Sequence, residues 1–463
     1  MTPYATMRTQ RKRMIVAAKR VFTKDEITTI KKALFVAEKH HIGQYRHDGS
    51  LFMSHPVGVA QSMLDYEYVC FSSFVAAILH DVLEDGQAAD RHSDVASFGP
   101  EVYDIVNGCT KIPTDSHGSS TLQKTYGKLL RASAINIKTM VVKGFDVLHN
   151  SQSFDVHSEE KARYKSNLAL IYVGIFRRLG ARKLAADLLN NVLPYLEPIQ
   201  YQHLYKTLVK AQNAGQKRRK KIIRQFWKIK GLNSVLHGQN AVRFQAHTLA
   251  EYFHVTPSKW FISNVRPPFY TMEISVRNNA AAWWLLGNIH KLFQPYARTI
   301  RDYLNSPKLS GFQGLASQIF LDKAQMYGDG VPLAVTIAKP SDHKKNQFGS
   351  LLDPSTLNNK FKTFREVLQS FTLSETDIRI DELPYIGFQD RISVIFAQDR
   401  RALAIGQGDN ILSFYRMLFP RAKFFNGAVV NGIKQFDPEL QLHDGDVVDL
   451  LRPSSRSIRL PKG

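Results

Sequence analysis

Apolar residues recur at i, i+3 and i+4 through Ile27–Ala37, Val57–Leu64, Phe71–Leu83, Val102–Val106, Ala134–Leu148 and Leu168–Phe176. That spacing lays an apolar stripe along an α-helix. Strand-like alternation is scarce here, so residues 25–198 are expected to form a nearly all-helical domain. The pattern then changes. In Gln216–Lys230, Ile222, Ile223, Phe226 and Trp227 keep helical spacing among eight Lys and Arg. This describes a basic amphipathic helix within a bridge over 199–254. Phe269–Arg277 and Pro332–Lys339 alternate or are rich in β-formers, whereas Ala280–Phe293 reads as helix; an α+β domain over 255–382 follows, with Ser350–Glu382 polar. Over 391–451, strands at Ile392–Phe396, Ala428–Val430 and Val447–Leu450 accompany a helix at Ile411–Phe419. Asn-Gly and Asp-Gly turns separate them, which predicts a compact β-rich module.

The 463 residues suffice for about three domains at ~150 residues each. A hydrophobic fraction of 44% excludes a disordered chain, and no run of ~18 apolar residues predicts a membrane-spanning helix. Two cysteines, Cys70 and Cys109, are too few for a disulfide framework or a thiolate metal site, so a reducing, cytoplasmic setting is expected. The net charge of +22 is uneven. Residues 1–24 hold seven Lys/Arg and residues 198–250 hold eleven, neither with an acid, and the remainder is nearly neutral. These segments read as sites for an anionic partner (RNA, a ribosome or an acidic protein) or as two solvated surfaces. Residues 1–24 lack the apolar stretch of a secretory signal; a mitochondrial-type presequence stays open on composition, and a frayed basic terminus is the simpler reading.

Ile78-Leu79-His80-Asp81-Val82-Leu83-Glu84-Asp85 carries the chemistry. On a helix at ~100° per residue, His80, Asp81, Glu84 and Asp85 fall within about 140°, with Ile78, Leu79, Val82 and Leu83 opposite. No Lys or Arg stands at i±4 to these acids, so three carboxylates repel unless a cation neutralises them. His55-Pro56 opens the preceding helix. Asp146 and Asn150 share a helical face at i, i+4. Two imidazoles and two carboxylates (His55, His80, Asp81, Asp146) give mixed N/O ligation suited to an ion such as Mn²⁺.

His…His-Asp…Asp resembles the HD phosphohydrolases, and the phrasing resembles the RelA/SpoT family of long alarmone enzymes. Gly43-Gln44-Tyr45-Arg46-His47-Asp48-Gly49 with Phe52-Met53-Ser54-His55-Pro56 is similar to that family's opening loop and first metal histidine. His80 to Asp85 matches its His-Asp-x-x-Glu-Asp signature. Val106-Asn107-Gly108-Cys109-Thr110-Lys111 and Lys143 to Asn150 resemble its next two blocks, and Ile171-Tyr172 through Arg178-Leu179-Gly180 resembles its closing helix. Trp284 to His290 and Arg301 to Lys308 look like its synthetase domain, and 391–451 is similar to its TGS domain. The resemblance implies a multidomain chain: an all-α HD hydrolase domain, an α+β pseudo-synthetase domain and a small β-grasp-like TGS domain.

The synthetase stretch departs from the family. Where Pro-Lys-x-Asn-Gly-Tyr-x-Ser-Leu-His is usual, the chain reads Pro307-Lys308-Leu309-Ser310-Gly311-Phe312-Gln313-Gly314-Leu315-Ala316. Ala334-Val335-Thr336-Ile337-Ala338 has lost the acid, amide and arginine of Glu-x-Gln-Ile-Arg, Gly238-Gln239-Asn240-Ala241 stands for Gly-Arg-x-Lys, and Glu273 is the only acid in Phe269–Arg277. Pyrophosphate transfer needs a metal carboxylate and cationic clamps, so this domain is expected to keep its fold without synthesis. Gly406-Gln407-Gly408 begins a nucleotide-loop pattern without completing it and reads as a turn.

The resemblance implies Mn²⁺-dependent removal of the 3′-pyrophosphate of guanosine tetra- or pentaphosphate. His55, His80, Asp81 and Asp146 would hold the metal, and Glu84 and Asp85 would orient water and move protons. Arg46, Asn150 and Ser153 would contact the nucleoside, and Lys143, Lys161 and Arg163 its phosphates. Lys143 reads equally as a surface lysine. The changed Arg46-His47-Asp48 loop keeps open an HD hydrolase for another nucleotide. A regulator without catalysis, binding through the basic bridge and the TGS-like segment, is the other reading.

Overall fold

The computed structural model describes residues 3–85, 89–111, 128–196, 198–238, 240–252, 270–296, 299–304, 312–320, 332–353, 391–397, 401–406, 410–419, 424–442, 446–451 and 458–459. The chain divides into two compact units, Met1–Tyr201 with Ser350–Gly387, and Gln202–Gly349 with Phe388–Gly463. Among the described residues no helix is long and apolar enough to cross a membrane. Cys70 and Cys109 are buried and unpaired.

The first unit is helical, as the periodicity predicts: α1 (Pro3–Ala18), α2 (Lys24–His40), α3 (Ser54–Asp65), α4 (Phe71–Leu79), α5 (Val82–Asp85), α6 (Arg91–Ala96), α7 (Pro100–Cys109), α8 (128–135), α9 (Lys138–Ser151), α10 (Glu159–Arg178) and α11 (Arg182–Leu196). Segment ends follow local chemistry. Thr23 and Glu26 close a capping box on α2, which satisfies amide donors the first turn leaves unpaired. Ser158 caps α10 by accepting from the Lys161 amide. The basic N-terminal segment is not frayed. Met7, Met14 and Ala18 bury one side of α1, and Arg11 pairs with Glu38 at 2.8 Å. Three apolar residues at i, i+7 and i+11 suffice to dock a helix whose other positions are charged.

α9 is the inner helix of this unit, with Met140, Val141, Val142, Phe145 and Leu148 buried. Its close approach to α10 depends on Gly144: a Cβ there would lie 2.1 Å from Cζ of Phe176. Phe145 and Phe176 are fully buried, and truncating such a ring costs about 3–5 kcal/mol.

In the second unit, α12 (Pro198–Phe226, within this unit from Gln202) supplies Ile222 and Phe226 to the core of a mixed sheet. The sheet contains β1 (Val242–Ala246), β2 (Tyr270–Ser275), β3 (Gln294–Pro295), β4 (Arg301–Asp302), β5 (Leu315–Phe320) and β6 (Leu333–Ala338) in the order β1-β2-β6-β5-β3, with β4 also on β5. α13 (Leu232–Val235) and α14 (Leu249–Tyr252) are short. α15 (Asn279–Leu292), capped by Asn278, adds Leu285, Leu286 and Ile289 to the same core, and α16 (Pro340–Phe348) follows β6. The sheet thus begins inside the segment assigned to the bridge, because Val242–Ala246 pairs antiparallel with β2. The register sets Arg243, Glu273, Thr336, Ala316 and Arg301 in one row across five strands.

The C-terminal part carries β7 (Arg391–Phe396), β8 (Arg401–Gly406), α17 (Ile411–Leu418), β9 (Phe424–Phe425), β10 (Ala428–Val430), β11 (Ile433–Gln435), β12 (Val447–Leu450) and β13 (Ile458–Arg459). Five of the strands form a sheet in the order β11-β10-β12-β7-β8. The predicted Asn-Gly turn is Asn431-Gly432, both with positive φ (51° and 81°), the backbone that a two-residue hairpin requires. Asn431 also donates to Asp446 and accepts from the Val447 amide, tying the hairpin to β12. Gln407 and Gly408 lie outside the described residues.

Candidate metal centre

Three helices deliver one cluster. His55 lies in the first turn of α3, His80 caps α4, Asp81 follows it, and Asp146 sits mid-way along α9. The sequence places His80 through Asp85 on one continuous helix, but the helix ends at Leu79 and resumes at Val82. At the break the His80 ring turns back, with Nδ1 2.7 Å from the Ala77 carbonyl. That bond puts a proton on Nδ1 and turns Nε2 inward, the atom that would face an ion.

His55 Nε2 stands 3.0 Å from Asp146 Oδ1, 3.6 Å from Asp81 Oδ2 and 3.2 Å from His80 Nε2. His80 Nε2 stands 3.1 Å from Asp81 Oδ2 and 3.6 Å from Asp146 Oδ1. Around an ion with ~2.1 Å bonds, neighbouring ligand atoms lie about 3.0 Å apart in octahedral and about 3.4 Å apart in tetrahedral geometry. Three of the five separations fall in that range and the two at 3.6 Å lie just beyond it. His55, His80 and Asp146 are buried, so water cannot neutralise their charge.

The electrostatics express the same demand. Burial, the largest influence on each group, pushes both imidazoles down and both carboxyls up. Against it, Asp81 and Asp146 take His80 up to about 10, whereas burial prevails at His55. The His80 charge holds Asp81 below the carboxylate range, and Lys143, His55 and His80 hold Asp146 well below it. Two ionised carboxylates facing two ring nitrogens form a site for a cation, and a divalent ion fits the donor set.

Lys143, one turn before Asp146 on α9, places Nζ 2.7 Å from Asp146 Oδ2. It is neither a surface lysine nor turned outward, but the counter-charge of a candidate ligand. Asn150 donates to Asp146 Oδ1 at 2.6 Å and accepts from Arg46 at 3.0 Å. Arg46 therefore reaches the cluster through one amide. Its loop is held by Arg46 N–Ser50 O and Phe52 N–Gln44 O bonds, with Gly49 at φ +77°. Ser153 donates to the Asn150 carbonyl at 3.3 Å. Glu84 is turned to Lys111, pairing with its ammonium and accepting its amide at 3.0 Å. The side chain of Asp85 lies outside the described residues. Lys161 and Arg163 are exposed on α10; two residues apart, they point to opposite sides of the helix.

Sequence reasoning missed His149. Its Nδ1 lies 3.0 Å from His55 Nδ1. When His55 Nε2 offers its lone pair to an ion, Nδ1 carries the proton and donates it to His149. Burial, with His55 and Arg46, pushes His149 down to about 3, so it stays neutral and able to accept. Gly58 on α3 makes room for the ring: a Cβ there would lie 2.1 Å from His149 Nε2.

The family model described as "HD domain" matches residues 33–182, the span that contains all of these groups. The chain is 25% identical over 482 residues to the guanosine-3′,5′-bis(diphosphate) 3′-pyrophosphohydrolase of Spiroplasma citri, covering 94% of this chain and 61% of that one. It is 26% identical over 325 residues to the bifunctional (p)ppGpp synthase/hydrolase SpoT of Escherichia coli strain K12, covering 68% and 43%. It is also 27% identical over 303 residues to the GTP pyrophosphokinase of Myxococcus xanthus, covering 64% and 39%. The chain thus spans roughly half the length of the curated relatives it matches. Residues 33–182 match the HD-domain model, and most of the chain is similar to curated (p)ppGpp hydrolases and synthases.

Proposed function

We propose that this chain is a divalent-metal-dependent hydrolase that removes the 3′-pyrophosphate from guanosine tetra- and pentaphosphate. The observation that carries the reading is the convergence of His55, His80, Asp81 and Asp146, in a chain related to enzymes named for that reaction. These four residues would hold the ion, and the mixed N/O donor set favours Mn²⁺. Bound there, a divalent ion lowers the pKa of a water and polarises a phosphate oxygen. The chain's own residues do the rest. His149 keeps His55 in the tautomer that leaves Nε2 unprotonated, as Ala77 does for His80. Lys143 balances Asp146. Asn150 and Arg46 form a polar arm beside the cage, suited to the nucleoside, with Ser153 behind Asn150. Glu84, held by Lys111, and Asp85 remain the candidates to orient water and move protons one turn from Asp81.

The test is pyrophosphate release from guanosine tetraphosphate with Mn²⁺, by the unaltered chain and by Asp81→Ala. The expected result is metal-dependent product from the first and loss of about a thousandfold or more in the second. No product from the unaltered chain, or equal rates from both, overturns the reading.

The sheet over β1–β6 is proposed to be a synthetase fold without synthesis. Its strand-crossing row holds one carboxylate, Glu273, between Arg243 and Thr336, and β6 offers Ala334, Thr336 and Ala338 where the family has an acid, an amide and an arginine. The C-terminal sheet with its single helix is proposed to be a TGS-type, β-grasp-like binding module. Lys220, Lys221 and Arg224 are exposed on α12 beside its buried Ile222 and Phe226, which supports an anionic partner such as RNA in a cytoplasmic setting.

A further inference from the structure

α15 carries apolar residues on two opposite faces. Ala281, Ala282, Leu285, Leu286 and Ile289 pack into the core of the second unit. Ala280, Trp283, Trp284 and Gly287 share the other face at i, i+3, i+4 and i+7, and all four are exposed. A helix that is apolar on both sides is ordinarily buried. Here the outer face is open: Trp283 and Trp284 are 45% and 40% exposed, and a Cβ at Gly287 would meet nothing within 4 Å. Trp284 rests on the turn after α12, where a Cβ on Gly231 would lie 3.6 Å from its Cζ2. Four residues before that glycine, Trp227 is 50% exposed. Three of the chain's four tryptophans therefore gather near one turn, each about half in solvent.

The surroundings are cationic. The sequence has no acid from 198 to 250 and none between Glu273 and Asp302. Lys228 and Lys230 stand exposed beside Trp227, and Lys291 continues the outer face of α15 one turn past Gly287. Arg277, exposed and bound through Nε to the Leu236 carbonyl, precedes the helix. Among the described residues no carboxylate pairs with Lys228, Lys230 or Lys291. A second copy of this face would bring like charges together, which opposes self-association. Nucleic acid would satisfy the charge, but Ala280 and Gly287 beside the indoles offer nothing to a base or a phosphate. Indoles on an apolar face ringed by Lys and Arg are the composition that settles between lipid headgroups and acyl chains. We propose that the outer face of α15, with Trp227, Lys228 and Lys230, docks on an anionic lipid surface. The proposal rests on the anionic-partner reading given above and assigns lipid, in place of RNA, to this face.

The test is co-sedimentation of the full chain with phosphatidylcholine vesicles, with and without phosphatidylglycerol, and retention of polyuridylate on a filter as the nucleic-acid arm. Binding is expected only to vesicles that contain phosphatidylglycerol, weakening as salt is added. Tryptophan emission should move to the blue as the indoles leave water. Trp283→Ser with Trp284→Ser should lower the affinity about tenfold or more, and Lys228→Gln with Lys230→Gln by a similar factor. All four side chains are exposed, so both double variants should keep the thermal midpoint of the unaltered chain. Vesicle binding that the tryptophan pair does not affect assigns the attraction to charge alone and overturns the inference. Tryptophan-dependent retention of polyuridylate without vesicle binding also overturns it, while leaving an anionic partner in place. Binding to neither at low salt overturns the anionic-partner reading itself.

Discussion

The cage on α3, α4 and α9 and the row across β1–β6 are both built from polar side chains placed by regular elements. In the cage, three of the four candidate ligands have a supporting contact: Ala77 behind His80, His149 behind His55, Lys143 and Asn150 behind Asp146. In the row, Glu273 lies between Arg243 and Thr336, and the next positions are Ala316 and Arg301. A sheet keeps its register through backbone pairing and one apolar face, so its polar face can lose charged residues without losing the fold. A buried cage has no such tolerance, because each group removed leaves another uncompensated.

The largest effect separating the two regions is the loss of hydrolysis in Asp81→Ala, which should leave the sheet intact. Next is His149→Phe, which keeps the ring's bulk and removes the acceptor. Affinity for Mn²⁺, measured by competition with a chelator, should fall about 10–100-fold, and unchanged affinity would show that His55 needs no such partner. Gly58→Ala should move metal affinity the same way, because the new methyl displaces His149. The smallest effect belongs to the row. Glu273→Ala should leave pyrophosphate release unchanged and alter stability by no more than about 0.5 kcal/mol. Formation of guanosine tetraphosphate from ATP and GDP by the unaltered chain, abolished in Glu273→Ala, would erase the contrast.

Much of the helical unit was legible because α2, α3, α7 and α10 each bury a continuous stripe that the sequence displays. His55, His80, Asp81 and Asp146 were legible as residue types at known spacings. His149 was not, since a histidine between Leu148 and Asn150 carries no sign that it faces another histidine 94 positions away. The break after Leu79 was hidden for a related reason: Ile78, Leu79, Val82 and Leu83 are all buried, so the helical pattern runs on across a turn. β1 was missed because Val242–Ala246 alternates inside a basic segment read for its charge. β5 was missed because Leu315–Phe320 lies across the end of a stretch read as a motif.

Gly144 has a consequence for the cage. α9 carries Asp146 and His149, so the place of those two groups in the cage depends on how α9 rests on α10. The contact between the Phe176 ring and the bare α-carbon of Gly144 sets that spacing. A side chain as small as one methyl at position 144 would act as a shim, pushing the helices apart and shifting Asp146 relative to His55 and His80.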